Sequence, residues 1–230
     1  MKKLIGITSP AFLYESENTN LDFYRFSNNY NKRIYDCGGI PVGILPRDGR
    51  IPDGVLDTFD AFLICGGKQM WPHHFQVVDY AVKNNKPLLG ICLGMQAIHR
   101  YFKLVDEAEK RGYTGDWYDF FQQLREEGWE SLVAVEGHSL KLVRGHEDDM
   151  KHLVKLEPGS HIAQLAGATE IMAATMHSYC ACDPSPRIKI TGYAEDGTIE
   201  AIEYGDKIVG VQFHPEVDEK LLSLFSFLFK

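Results

Sequence analysis

Long apolar runs are missing from this sequence. No stretch approaches the roughly 20 consecutive apolar residues that a membrane-spanning helix needs, and the apolar run after Lys2 and Lys3 is too short for the core of a signal peptide. Glycine-rich phosphate loops, dinucleotide-binding fingerprints, internal repeats and low-complexity segments are missing as well. We therefore expect a protein that neither enters a membrane nor binds an organic cofactor.

Cysteine and basic charge are also scarce. The chain has five cysteines, an odd number without a repeating spacing, and 24 lysines and arginines against 32 aspartates and glutamates. Without an export signal, such cysteines are typical of reduced thiols in a cytoplasmic protein. The net charge of −8 argues against nucleic-acid binding, because phosphate neutralisation needs clustered lysine and arginine, and solubility explains the charge.

Strand and helix patterns alternate over the first hundred residues. Such alternation indicates crossover connections and a mainly parallel sheet, whose sites form at the carboxyl ends of the strands. The predicted strands cover residues 4–8, 40–46, 61–65 and 87–91, and the predicted helices cover residues 21–36 and 74–85. The 230 residues suffice for one domain with a sizeable core.

The second half of the chain contains more strand patterns. They cover residues 153–157, 169–175 and 187–213, with a hairpin turn signal at residues 195–198 and a closing apolar-faced helix at residues 218–229. We therefore predict a single α/β domain over residues 1–230. Its central, mainly parallel sheet is flanked by helices and extended by antiparallel strands in the C-terminal half.

Residues 90–96, Gly-Ile-Cys-Leu-Gly-Met-Gln, form the most informative motif. A G-x-C-x-G between a strand and a helix is the cysteine form of the nucleophile elbow, in which glycines allow a sharp turn. The turn would present the sulfur of Cys92 at a helix N-terminus, where unpaired N–H groups and the helix dipole favour the thiolate. We predict that Cys92 is a nucleophile.

A second motif supplies the base. Residues 207–213 read as a strand that runs into His214, and Pro215 ends it before Glu216. A histidine at a strand end, two residues before a carboxylate, suits a Cys–His–acid triad. His214 would take the thiol proton, and Glu216 would orient the imidazole.

A third motif supplies an oxyanion hole. The buried strand pattern of residues 60–65 ends in Gly66-Gly67. Acyl transfer to a thiolate needs hydrogen-bond donors aimed at the developing oxyanion. The N–H of Leu93, directly after the nucleophile, and the N–H of Gly67 are the predicted donors.

Residues 103–150 depart from the alternation of strand and helix patterns. They are rich in charge and contain an amphipathic helical stretch, followed by short strand patterns at residues 132–135 and 140–143. Two interpretations stay open. The region is either a lid or a subunit contact, the latter implying a homodimer, or it is a surface elaboration. The stretch carries Trp117, Tyr118, Phe120, Phe121, Leu124 and Trp129.

The remaining histidines and cysteines do not predict a metal site. The spacing of Cys180 and Cys182 near His177 is not Cys-x-x-Cys, and the sequence has no second pair. The other histidines of this part, which lie among acidic residues, are interpreted as solvated surface; they are His138, His146 and His152.

With these motifs, the chain resembles the class I glutamine amidotransferase-like superfamily. Within it, the chain is similar to the gamma-glutamyl hydrolase group, peptidase family C26, which includes gamma-glutamyl-gamma-aminobutyrate hydrolases. Further segments carry this resemblance: residues 38–42 with Leu45-Pro46, residues 152–160, and residues 194–203 leading into Gly210-Val211-Gln212. The resemblance implies a flavodoxin-like fold and the same roles for Cys92, His214, Glu216, Gly67 and Leu93. It also implies that Gly66, Gln96, Ser178 and Tyr179 bind the substrate.

Three departures from the group concern the substrate. The group usually has an Asn-Ser-x-His-His-Gln segment, and its counterpart here, residues 177–182, keeps Ser178 and loses both histidines. The elbow has Leu93 where the hydrolases often have arginine, which is closer to glutaminase domains. Residues 103–150 lack the group's glycine-rich segment after the elbow helix.

We expect a thiol hydrolase that cleaves small gamma-glutamyl amides, without metal or organic cofactor. Two alternatives stay open. One is a glutaminase subunit that supplies ammonia to a separate synthase partner, and the other is a non-catalytic binding module on the same fold.

Overall fold

The computed structural model describes residues 2–8, 10–12, 23–139 and 150–230 of the chain. Within these ranges, nine strands form one sheet: β1 (Leu4–Thr8), β4 (Ile40–Gly43), β5 (Ala61–Ile64), β6 (Leu88–Ile91), β8 (Lys151–Leu156), β9 (Glu170–Ala174), β11 (Lys189–Ala194), β12 (Ile199–Tyr204) and β13 (Ile208–Val211). Their order across the sheet is β4-β1-β5-β6-β13-β12-β11-β8-β9. Two small antiparallel sheets pair β2 (Ala11–Phe12) with β3 (Phe23–Tyr24), and β7 (Leu132–Ala134) with β10 (Tyr179–Ala181).

The five strands β4, β1, β5, β6 and β13 are parallel to one another. Residues of β5, β6 and β13 are buried throughout, as expected for parallel strands covered on both faces. Alternate side chains of β5 enter different core clusters: Phe62 and Ile64 join one, Ala61 and Leu63 the other. The parallel sheet predicted from the sequence is confirmed.

The other half of the sheet is antiparallel, from β13 through β12, β11 and β8 to β9. The predicted hairpin turn joins β11 to β12, with Gly197 N–H donating to the Ala194 carbonyl at 3.1 Å. Antiparallel extension in the C-terminal half is therefore confirmed as well.

The helices are α1 (Asn28–Asp36), α2 (Pro72–Lys83), α3 (Leu93–Arg111), α4 (Trp117–Glu126) and α5 (His161–Ala166), with 3₁₀ segments at Leu56–Thr58, Pro215–Val217 and Glu219–Phe229. No helix within the described ranges combines the length and apolarity needed to cross a bilayer. Helix α3 begins directly after Cys92 and ends at Gly112, whose φ of 65° is left-handed. The elbow motif thus connects the centre of the sheet to the longest of these helices.

One element prediction was wrong. The helix predicted from residue 21 begins only after Ser27, because Phe23 and Tyr24 pair with β2 instead. Helix α3 continues to Arg111 with ion pairs on its exposed face, and the alternation of strands and helices then stops, as predicted, because α4 follows α3 without a strand between them. The predicted closing helix is present at Glu219–Phe229 as a 3₁₀ helix with a buried apolar face. The strand predicted at residues 140–143 lies outside the described residues.

Candidate active site

The elbow holds Cys92 between β6 and α3 in a strained conformation. Its φ of 52° and ψ of −104° are rare for a residue with a side chain. A Cβ on Gly90 would lie 2.5 Å from the Gly94 carbonyl carbon, and one on Gly94 would lie 2.3 Å from the Ile64 carbonyl oxygen. Only glycine permits this contact between helix and strand, which explains the spacing of the motif.

His214 follows the carboxyl end of β13. Its N–H donates to the Ala174 carbonyl at 2.9 Å, and its Nδ1 lies 2.7 Å from Glu216 Oε1. The other ring nitrogen, Nε2, is buried and has no hydrogen-bond partner among the described residues. This arrangement fixes the imidazole through Nδ1 and leaves Nε2 available for proton transfer.

Gly66 lies between Cys92 and His214. A Cβ on Gly66 would lie 2.9 Å from His214 Cε1 and 3.4 Å from Cys92 Cβ. Burial disfavours the imidazolium, but the negative charges of Glu216 and Cys92 outweigh burial and raise the pKa of His214 well above its usual value. The electrostatics therefore favour the protonated form of His214 beside Cys92.

The predicted oxyanion donors lie beside this pair. A Cβ on Gly67 would lie 2.9 Å from Leu93 Cδ2, so the two residues are neighbours. Leu93 is the first residue of α3, and an N–H at that position has no partner within its helix. The N–H of Gly66 instead donates to the Tyr30 hydroxyl at 3.1 Å, so Gly67 is the better candidate of the two glycines.

Two clefts open next to the elbow. We call the first the His214 cleft; it has a volume of about 500 Å³ and is lined by Tyr30, Gly66, Gly67, His214 and Glu216 among others. We call the second the α4 cleft; it has a volume of about 430 Å³ and includes Leu93, Gln96 and Tyr179. Gly67 and Leu93 are in contact, so the clefts approach each other at the predicted oxyanion hole.

The predicted substrate-binding residues do not all line the same cleft. Gln96 is buried, and its Nε2 donates to the Tyr179 carbonyl at 2.9 Å and to Gln212 Oε1 at 3.1 Å. Gln96 and Tyr179 line the α4 cleft, and Gly66 lines the His214 cleft. Among the described residues that line either cleft, Ser178 does not appear.

Sequence reasoning missed Arg100. Its Nε donates to the Ser131 hydroxyl at 2.8 Å, its guanidinium lies 4.4 Å from the centre of the Phe121 ring, and within the described ranges it has no carboxylate partner. Burial, with the charge of Arg125, lowers the pKa of Arg100 to about 10. Arg100 follows Gln96 by four residues, as Gln96 follows Cys92, so helical spacing could have placed both on the cleft side of α3.

Residues 117–132 contribute a wall of the α4 cleft. Side chains of α4 that line it include Tyr118, Phe121 and Arg125, and Trp129 follows after the helix. Phe121 is also packed in the core with α2 and α3. The region is therefore part of a cleft next to Leu93; its role as a lid stays a prediction.

The interpretation of His138 and His152 as solvated surface was wrong. With His177 and Glu200 they form what we call the Glu200 cluster: Glu200 Oε1 lies 3.4 Å from His138 Nδ1, 3.5 Å from His152 Nε2 and 3.2 Å from His177 Nε2. Burial opposes the charge of Glu200, but hydrogen bonds from the three imidazoles outweigh it and hold its pKa far below the usual value. His146 lies outside the described residues.

Comparisons with known proteins match this architecture. A family model described as peptidase C26 matches residues 3–79 and 74–216. A glutamine amidotransferase-like protein of Rickettsia prowazekii (strain Madrid E) is 24% identical over 257 residues, which cover 94% of this chain and 91% of that protein. The CTP synthase of Gluconobacter oxydans (strain 621H) is 31% identical over 191 residues, which cover 76% of this chain but 34% of the synthase. The solved structure of a GMP synthase subunit from Thermoplasma acidophilum has a TM-score of 0.66 at 16% identity and covers 100% of this chain and 94% of its own, a likeness of fold.

Proposed function

This chain belongs to the peptidase C26 family, and on that premise we propose that it hydrolyses gamma-glutamyl amide bonds of small amines or amino acids. The family and the relatives establish the coarser class, a glutamine amidotransferase-like amide hydrolase. The gamma-glutamyl substrate and the residue roles are our proposal. The observation that carries it is the approach of His214, held by Glu216 at 2.7 Å, to Cys92 across Gly66.

In the proposed reaction, the Cys92 thiolate attacks the side-chain amide carbonyl. The carbon–sulfur bond forms as the carbonyl becomes an oxyanion, which the N–H groups of Gly67 and Leu93 stabilise. The carbon–nitrogen bond then breaks, and His214 transfers its proton to the leaving amine. Neutral His214 next takes a proton from water, whose oxygen attacks the thioester and releases glutamate. The released thiolate and the imidazolium restore the starting pair.

Substrate recognition is proposed for the α4 cleft. Lys68, Arg100 and Arg125 line it and carry positive charge, and Gln96 is the polar group nearest the elbow on α3. A gamma-glutamyl group presents a free carboxylate, which a guanidinium binds well. Arg100 is the preferred partner, because its guanidinium is largely desolvated and has no carboxylate partner within the described ranges.

The test is glutamate release from a panel of gamma-glutamyl amines and from free glutamine, measured by mass spectrometry. We expect rapid cleavage of at least one gamma-glutamyl amine and its loss in Cys92→Ala. Cys37→Ala is the matched control and should retain activity, since Cys37 is a free cysteine at the end of α1 and belongs to the lining of neither cleft. A Cys92 thiol that fails to alkylate would instead favour the non-catalytic binding module.

The second candidate is a glutaminase subunit that supplies ammonia to a synthase. The match to about a third of a CTP synthase favours it, because this chain then corresponds to one part of a larger synthase. This candidate predicts little glutaminase activity for the chain alone and a rise when a synthase partner is added. Cleavage of a gamma-glutamyl amine by the isolated chain would contradict it.

A further inference from the structure

The Glu200 cluster lies outside the proposed reaction and joins four separate parts of the chain. His138 follows β7, His152 is on β8, His177 precedes β10, and Glu200 is on β12. His138, His177 and Glu200 are buried, and the side chain of His152 is 19% exposed. Three histidines from distant segments thus point at one buried carboxylate oxygen.

Hydrogen bonds outside the cluster orient two of the imidazoles. His138 Nε2 lies 2.9 Å from Asp196 Oδ2, and His177 Nδ1 lies 3.2 Å from the Tyr179 carbonyl. Both outer partners are acceptors, so a neutral imidazole at either position carries its hydrogen on this outer nitrogen and presents a lone pair inward. Such outer acceptors orient histidine ligands in metal sites.

The inward-facing atoms need a cation between them. His138 Nδ1 and His177 Nε2 are 3.2 Å apart, and Glu200 Oε1 lies within 3.4 Å of both. Three acceptor atoms so close repel one another unless a proton or a metal ion lies among them. Glu200 Oε2 is also buried and lacks a hydrogen-bond partner among the described residues.

The separations fit a small transition-metal ion. An ion bound tetrahedrally at about 2.0–2.1 Å has ligand atoms about 3.3 Å apart. The distances from Glu200 Oε1 to the three imidazole nitrogens are 3.2, 3.4 and 3.5 Å. His138, His152 and Glu200 each offer a ligand atom within 4.8 Å of the others. A cleft of about 220 Å³ reaches His138 and His152 and gives an ion access.

We propose that His138, His152, His177 and Glu200 bind one divalent transition-metal ion, with Zn²⁺ the expected occupant. Imidazole and carboxylate ligands in this ratio suit zinc, whereas magnesium and calcium prefer sites made of oxygen. The sequence argument against metal depended on Cys180 and Cys182, and this site uses neither cysteine.

A metal here would stabilise the walls of both clefts. Met176 lines the His214 cleft and Tyr179 lines the α4 cleft, and these residues flank His177 in one segment. The Thr175 hydroxyl and the His177 N–H both donate to the His138 carbonyl, at 2.9 and 2.8 Å. The site therefore has a structural role, distinct from the chemistry at Cys92.

The test uses the full chain with Cys92→Ala, so that the proposed nucleophile cannot bind the probe. After removal of metals with a chelator, Co²⁺ and then Zn²⁺ are titrated, followed by the visible absorption of Co²⁺ and by thermal unfolding. We expect one equivalent to bind with nitrogen and oxygen ligation and no thiolate charge-transfer band. Zn²⁺ at a hundred times its Kd should raise Tm by about 5 °C or more.

Three variants decide the ligands. His152→Gln, at the most exposed of the four positions, should lower the affinity at least tenfold, and Asp196→Asn, whose side chain is 49% exposed, should lower it less and still fold. His161→Gln, outside the cluster, is the matched control and should bind as the parent does. The proposal is overturned if no ion binds, if His152→Gln binds equally well, or if a thiolate band appears.

Discussion

Two buried groups of histidine and carboxylate differ in how the chain builds them. At the elbow, His214 and Glu216 are two residues apart, and a single strand end positions both. In the Glu200 cluster, His138, His152 and His177 come from three segments to meet one carboxylate. The first pair is local in sequence, and the second group exists only after the antiparallel half has assembled.

The electrostatics of the two groups also differ. Glu216 acts with Cys92 on one imidazole and raises the pKa of His214 well above its usual value against the effect of burial. Glu200 accepts hydrogen bonds from three imidazoles, and these hold its own pKa far below the usual value against the effect of burial. The difference fits the proposed roles, in which Glu216 orients and charges the base His214, whereas Glu200 is the fixed centre of a binding or structural group.

Of the two groups, the elbow is where we expect a substitution to have the largest effect on the rate of amide hydrolysis. Cys92→Ala removes the proposed nucleophile, and kcat for amide hydrolysis should fall by at least ~10⁴-fold, as for loss of other covalent nucleophiles. Glutamate release measures it, and circular dichroism checks that the variant folds. A residual rate within tenfold of the parent would remove Cys92 from the mechanism.

Glu216→Gln tests orientation and charge together. The amide keeps the volume but loses the charge that raises the pKa of His214, so kcat/KM should fall by about 10³-fold. Because His214 then loses its proton at a lower pH, the alkaline limb of the pH profile should move to lower pH. An unchanged alkaline limb, measured over the same buffers, would show that Glu216 does not control the imidazolium.

The contrast between the two groups also explains what sequence could predict. The elbow depends on Gly90, Cys92 and Gly94 at fixed spacing, because helix and strand touch where any Cβ would clash. The parallel strands are visible because their residues are apolar on both faces. These features are local, so a pattern over a few residues suffices to predict them.

The features that could not be predicted from the sequence depend on contacts between residues that are far apart in the chain. Glu200 alternates with apolar residues on a buried strand, and nothing near it in sequence shows that three imidazoles reach it. Phe23 has helical spacing to Phe26, but pairing with β2 decides its conformation. In each case tertiary contacts outweigh the local pattern.

Glu200→Gln should lower the stability of the protein, although Glu200 lies outside the proposed reaction. The substitution removes a fully buried charge that three imidazoles contact, so the free energy of unfolding of the metal-free protein should fall by about 4 kcal/mol. Urea denaturation in the presence of a chelator measures it. Glu203→Gln on the same strand is the matched control, because the amide oxygen can still accept from Ile162 N–H. A loss of less than about 1 kcal/mol for Glu200→Gln would mean that the imidazoles do not depend on its charge.

His99 is a buried histidine that contacts no carboxylate among the described residues, and its pKa moves in the opposite direction from that of His214. His99 lies on α3 behind the elbow, and its Nε2 donates to the Ser131 carbonyl at 2.8 Å. Burial, only partly offset by that hydrogen bond, lowers the pKa of His99 to about 4 from 6.5. Between these values the unfolded chain binds a proton that the folded protein does not, so stability rises with pH through this window.

His99→Gln should therefore flatten the acid side of the stability curve. The parent should lose about 3 kcal/mol from this group between pH 7 and pH 4, because a shift of one pKa unit corresponds to about 1.4 kcal/mol. Glutamine cannot titrate but can still donate to the Ser131 carbonyl, so the variant should lose correspondingly less over the same interval. Urea denaturation of both proteins at each pH measures the difference. Equal pH dependence of parent and variant would mean that His99 is charged in the folded protein, and that burial without a carboxylate does not suffice to keep this histidine neutral.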